Sequence, residues 1–307
     1  MKDVFYIVGP TAAGKSDLAA DVALRIDAEI VNADAFQIYE GLDLLSARPD
    51  AATLAKVPHH LIGVASLTEQ MNVETFRCRA LEAIAAIQAR RKRVIVAGGS
   101  GMYVKALTHG LARLPPADPE LRRELNALAM EELGRRLAAL DPATAATIDL
   151  KNRRRVVRAL EICILTGKAA AAQRRGWEET GTTAAGVFVC RNREDLHARI
   201  NQRVTTMFDQ GVVREVNAVD GIGATAAGIL GYSQIRELIE GGISQPDCIA
   251  SMQQATRRYA KRQLTWFRRH GNFESLNLSL LSHDAAVEWI TQRALVSFAP
   301  RDDRNPA

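Results

Sequence analysis

The residues Gly9-Pro10-Thr11-Ala12-Ala13-Gly14-Lys15-Ser16 fit the phosphate-loop pattern of glycine, four residues, then Gly-Lys-Ser. Glycines let the backbone fold tightly enough for its N–H groups to converge on phosphate oxygens. A lysine supplies a mobile cation, and a serine hydroxyl at the end of such a loop can ligate Mg²⁺. The pattern speaks for a phosphate or diphosphate, not for ATP, since kinases, NTPases and transferases that expel diphosphate share it.

Two further segments carry chemistry if they reach the same place. Asp34 offers a carboxylate that can take a proton from a nucleophile or help hold a metal, and Gly98-Gly99-Ser100-Gly101 offers a tight turn with a hydroxyl. Each also fits an ordinary turn or cap. Near the C-terminus, Ala255–Arg269 has no helix breaker, and Arg257, Lys261, Leu264 and Arg268 recur at helical spacing with Tyr259, Trp266 and Phe267 between them. Bases interleaved with aromatics suit unpaired nucleotides. The alternative is an amphipathic helix with its rings in the core and its charges merely solvated. Arg153, Arg154, Arg155 and Arg158 form a second cluster at a helix start, where cations oppose the helix dipole.

The elements that must position these groups are readable from periodicity. Val4–Val8, Ala28–Val31 and Val94–Ala97 read as buried strands; Lys15–Ile26 and Val73–Arg90 read as helices. That alternation predicts an α/β fold, a P-loop NTPase-like parallel sheet with helices on both faces. Ligands then bind beyond the carboxyl ends of the strands, where the phosphate loop, Asp34 and Ser100 all fall. After Leu114-Pro115-Pro116 only helical signals appear, with Val156, Val157, Leu160 and Ile164 on one face, until Val187–Cys190 returns as a strand. The expected division is a core of 1–117 and 186–307 with a helical insertion at 118–185; the tail beyond Asp302 is polar and expected to fray.

The 307 residues are 47% hydrophobic and 24% charged, enough for a packed core, and no apolar run is long enough to span a bilayer. A cytoplasmic, monomeric protein is expected. Net charge is only +5, yet no acid lies between Asp247 and Glu274, where six arginines and lysines fall. Cys78, Cys163, Cys190 and Cys248 form no CxxC pair and are expected to be buried, reduced thiols.

Taken in order, these segments resemble the tRNA dimethylallyltransferase (tRNA isopentenyltransferase) family. The likeness runs from Gly9 to about Arg268: the phosphate loop, Asp34-Ala35-Phe36-Gln37-Ile38-Tyr39, Ala47-Arg48-Pro49, Val57-Pro58-His59-His60-Leu61, Gly98–Tyr103, Pro115–Pro119 with Arg122, Arg155–Glu161, Arg199-Ile200 with Arg203, Gly231-Tyr232 and Thr256–Phe267. The resemblance implies transfer of a dimethylallyl group from dimethylallyl diphosphate to N6 of the adenosine at tRNA position 37, just 3′ of the anticodon, with release of diphosphate. It assigns the diphosphate to Gly9, Thr11, Ala12, Ala13, Gly14, Lys15 and Ser16, with Mg²⁺ at Ser16. Catalysis falls to Asp34 as general base with Ser100 and Arg203 at the diphosphate. The tRNA falls to Asp34, Ala35, Phe36, Gln37, Ser100, Arg122, Arg154, Arg155, Arg158, Lys261, Arg262, Gln263, Thr265, Trp266 and Arg268, with the insertion contacting the anticodon stem-loop. Three positions depart from the family pattern: Ala35 stands for serine, Ser100 for threonine, and Gly228 for an arginine. The rival readings are a small-molecule P-loop kinase and an adenylate dimethylallyltransferase.

Overall fold

The computed structural model describes residues 4–112, 114–173 and 184–299. Its first half alternates as expected: β1 (Val4–Val8), α1 (Lys15–Arg25), β2 (Ala28–Asn32), α2 (Ala51–Lys56), β3 (His59–His60), α3 (Val73–Ala89), β4 (Arg93–Gly98) and α4 (Gly101–His109). Then come the insertion helices α5 (Pro119–Ala127), α6 (Met130–Leu140), α7 (Pro142–Thr147) and α8 (Arg153–Thr166). The chain returns through β5 (Gly186–Cys190), α9 (Arg193–Asp209), α10 (Val212–Asn217), α11 (Tyr232–Ile239), α12 (Gln245–His270), β6 (Glu274–Asn277) and α13 (His283–Phe298).

The six strands form one parallel sheet in the order β3-β2-β4-β1-β5-β6. β1 lies in the middle, with Val8 opposite Gly98 of β4 on one side and Phe188 of β5 on the other. Strand residues alternate between faces, so β1 divides its side chains. Val4, Tyr6 and Val8 pack with Phe76 and Ile84 of α3, Val204 of α9 and Phe267 of α12. Phe5 and Ile7 pack with Leu18 and Val22 of α1 and with Val287 and Ile290 of α13. Both faces are therefore covered by helices, as a parallel sheet requires.

The chain clusters into two compact units, one of residues up to Thr108 and from Thr183 onward, the other His109–Thr182. The second unit has its own core of Leu125, Leu133, Leu137, Val156, Val157, Leu160 and Cys163. Ile164, expected on that face, is exposed; the buried stripe runs through Ile162 and Cys163 instead. The tail beyond Asp302 lies outside the described residues. Cys163 and Cys248 are buried free thiols and Cys190 is half-buried, but Cys78 is exposed on α3, against expectation.

Candidate active site

The phosphate loop leaves β1 at Val8 and closes on the N-terminus of α1, where Gly14 has φ 94. That left-handed conformation favours glycine, and it turns the chain sharply into the helix. The loop is held from outside. Lys15 Nζ donates to the Pro10 carbonyl at 2.7 Å, Arg199 Nε to the Ala12 carbonyl at 3.0 Å, and Arg191 Nε to the Ala13 carbonyl at 2.9 Å. Arg203 Nη2 donates to Thr11 Oγ at 2.6 Å. Burial lowers the Lys15 ammonium to about 8; Asp34 opposes that shift and Arg203 adds to it. Arg203 is likewise lowered by burial, to about 10, with Asp34 again opposing. Four cations thus crowd one loop, a charge balance that a polyanionic ligand would complete.

Asp34 follows β2 and Ser100 follows β4, so the parallel sheet delivers both to the loop's edge. Asp34 Oδ1 accepts from the Phe36 N–H at 3.0 Å, which fixes the carboxylate on its own turn. Ser100 Oγ accepts from the Ala35 N–H at 2.9 Å, so this contact is a backbone one and survives the exchange of serine for Ala35. One cavity of about 360 Å³ is lined by Thr11, Gly14, Lys15, Ser16, Asp34 and Arg203 together, and α12 closes it with Thr256 and Tyr259. The Tyr259 phenol is pushed up by burial and by the Asp34 charge, while a hydrogen bond to Ser100 works the other way.

Gln263 was expected at the RNA, and the structure gives it another task. It is 5% exposed, its Oε1 accepts from the Thr11 N–H at 2.8 Å, and its Nε2 donates to the Gly99 carbonyl at 2.9 Å. Both ends of its amide are consumed in joining the phosphate loop to the Gly98–Gly101 turn. Trp266 is half-buried against Gly101, where a Cβ would lie 2.3 Å from its ring, and Phe267 is fully buried in the core. The outer face of α12 is different. Arg258, Lys261, Arg262, Thr265, Arg268 and Arg269 are exposed, and none of these five cations has an ion-pair partner among the described residues. The helix is therefore amphipathic, with rings and Gln263 on its buried face and cations on its exposed one.

The other expected RNA contacts divide similarly. Phe36 packs on Tyr259 with ring centroids 5.6 Å apart, and Gln37 Nε2 donates to the Ala47 carbonyl at 2.8 Å. In the insertion, Arg154 and Arg155 are exposed. Arg122 and Arg158 are instead tied down: both donate to Glu161 Oε2, at 2.7 and 2.6 Å, and Glu161 is fully buried. Arg153 answers the unfavourable dipole of α8 by donating to the Asn126 and Leu128 carbonyls at the end of α5. Gly228 lies in a short 3₁₀ turn with open space where a side chain would project.

A family model described as IPP transferase matches residues 37–270. The chain belongs to the IPP transferase family. A relative named tRNA dimethylallyltransferase 1, from Citrifermentans bemidjiense, is 41% identical over 270 residues and covers 86% of this chain and 88% of its own. The crystal structure of the tRNA isopentenylpyrophosphate transferase of Bacillus halodurans superposes with a TM-score of 0.72 at 31% identity, covering 97% of each chain. A eukaryotic dimethylallyltransferase captured acting on tRNA shares the fold, with a TM-score of 0.80 at 23% identity, covering 100% of this chain and 82% of that one. The family's α/β core thus agrees with the sheet predicted from periodicity. Arg191 and Arg199 were missing from the expected site. The signal for Arg191 was its place directly after β5, at the edge that also carries Asp34 and Ser100; for Arg199 it was the one-turn spacing to Arg203.

Proposed function

We propose that this enzyme transfers a dimethylallyl group from dimethylallyl diphosphate to N6 of adenosine 37 in tRNA. The observation that carries the reading is that Asp34 lines the same cavity as Lys15, Ser16 and Arg203. N6 attacks the allylic C1, the C1–O bond breaks, and diphosphate leaves with the electron pair. The loop amides, Lys15 and Arg203 take up the charge that develops on it. Asp34 accepts the proton that N6 loses. An adenine stacked in a helix cannot reach this cavity, so the base must be extruded, and the Phe36–Tyr259 pair offers it an aromatic wall.

Mg²⁺ fits the donor set only in part. Ser16 lines the cavity with a hydroxyl, and Asp34 and Asp50 line it with carboxylates, all hard oxygen donors. No group of three or more His, Cys, Asp or Glu converges among the described residues, so Ser16 would hold the ion together with diphosphate oxygens. Bound there, Mg²⁺ neutralises part of the leaving charge. The exposed cations of α12, with Arg154 and Arg155 on the insertion, supply the phosphate contacts for tRNA. Action in the cytoplasm, where tRNA is met, and as a monomer belongs to the same proposal; no helix of the described residues is long and apolar enough to cross a membrane.

Mass spectrometry of nucleosides from tRNA incubated with the enzyme and dimethylallyl diphosphate is expected to show prenylated adenosine and stoichiometric diphosphate. Prenylated AMP with untouched tRNA would make it an adenylate enzyme. Phosphoryl transfer from ATP without prenylation would make it a kinase.

A further inference from the structure

The Ala13 carbonyl and the Gly14 N–H are opposite ends of one peptide plane, so whatever fixes the oxygen aims the hydrogen. The Ala13 oxygen is held by Arg191, the first residue after β5, whose side chain is 18% exposed and does not line the cavity. That guanidinium is itself held. Its Nη1 donates to Asp195 Oδ2 at 2.8 Å and reaches the Leu278 carbonyl at 3.4 Å. Asp195 Oδ2 also accepts from Ser279 Oγ at 2.6 Å, and Ser279 Oγ accepts from the Asn192 N–H at 3.0 Å. The Ser279 hydrogen bond and then Arg191 keep the Asp195 carboxyl below its ordinary range, so it stays charged at neutral pH. On the loop side, a Cβ placed on Gly14 would lie 3.7 Å from Arg191 Nη2 and 3.6 Å from Arg199 Nη2.

We propose that Arg191 is a positioning residue for the diphosphate. With Asp195 and Ser279 it forms a strut that fixes the Ala13–Gly14 peptide so that the Gly14 amide faces the leaving group. The proposal rests on the reading that this loop takes a diphosphate. The geometry favours a fork over a simple charge, because one guanidinium serves the Ala13 oxygen through Nε and Asp195 through Nη1. A lysine has a single nitrogen and cannot span both.

The test is calorimetric titration of inorganic diphosphate with Mg²⁺ into the full-length protein and its variants, alongside steady-state kinetics. Arg191→Met keeps the aliphatic stem and is expected to weaken diphosphate about tenfold. The same variant lowers kcat/KM for dimethylallyl diphosphate by a similar factor and leaves KM for tRNA unchanged. Arg191→Lys should recover less than half of the loss in binding free energy. Wild-type diphosphate affinity in a folded Arg191→Met protein, or full recovery by Arg191→Lys, overturns the strut. If Arg191→Met does not fold, Ser279→Ala replaces it: about a threefold loss is expected, and none overturns the proposal. A wild-type protein that binds no diphosphate would remove the underlying reading instead, and the strut with it.

Discussion

Lys15 gives the site a proton dependence that can be worked from its surroundings. Burial in the loop costs the ammonium more than Asp34 restores, and Arg203 adds repulsion, so it titrates near about 8 in the free enzyme. Diphosphate requires the charged form. The sign follows: affinity is present below about pH 8 and is lost as pH rises through that value. The protonated fraction is about nine-tenths at pH 7 and about one-tenth at pH 9, so kcat/KM for dimethylallyl diphosphate is expected to fall about tenfold over that range. Bound diphosphate raises the ammonium again, so binding should take up about half a proton per site at pH 8 and close to one at pH 9. Calorimetry in two buffers of different ionisation enthalpy measures that uptake. Lys15→Arg is the control, because a guanidinium stays charged throughout. Its affinity should be lower and its profile flat. A wild-type profile level to pH 9.5, or the same fall in Lys15→Arg, would refute the assignment.

Asp34→Ala should abolish prenyl transfer while tRNA affinity by filter binding stays within about twofold, since it removes a proton acceptor and no phosphate contact; near-normal turnover would reject the role. Gln263→Met leaves the Thr11 N–H and the Gly99 carbonyl without their partner, and about 2–4 kcal/mol of stability should be lost in urea denaturation, at the lower end if cavity water reaches Thr11. Lys261→Ala with Arg262→Ala should weaken tRNA binding and reduce the slope of log affinity against log salt by about 1 to 2; an unchanged slope would show that neither side chain reaches phosphate. Glu161 is pushed up by its burial, but Arg158, Arg122 and the Asp118 N–H outweigh that and hold it below the usual carboxylate range. Its contribution to stability is therefore present at neutral pH and lost as pH falls through the folded value, and Glu161→Gln should flatten that part of the acid unfolding curve.

What the sequence made legible follows from how each signal is encoded. β1, the phosphate loop and α1 combine a buried β-branched run, a spaced glycine motif and helical periodicity, three independent signals in succession. β3 offers only two half-buried histidines, and β6 presents two exposed residues in its four, so neither shows the alternation that marks a strand. α13 packs Val287, Ile290 and Ala294 on the sheet but leaves Leu295 and Val296 exposed, which blurs its face. The structural task of Gln263 is legible only from its register on the helix, not from its place in the motif. Met252, Thr256, Ala260, Gln263 and Phe267 form one buried stripe of α12, and a glutamine inside such a stripe must find partners in the protein. The locked arginines Arg122 and Arg158 could not be told from free ones, because their partner Glu161 is a carboxylate whose burial shows only in three dimensions.

The bond from Thr11 to Gln263 spans 252 positions of sequence. At ordinary synthesis rates the two ends are made on the order of 10–50 s apart. During that interval β1 also waits for β5 to complete its second edge, and the loop has neither Arg191, Arg199 and Arg203 behind it nor α12 across it. A nascent chain stalled before Gln263 therefore carries the glycine motif in full but no finished anion nest. A loop made early becomes competent only when a helix made far later arrives.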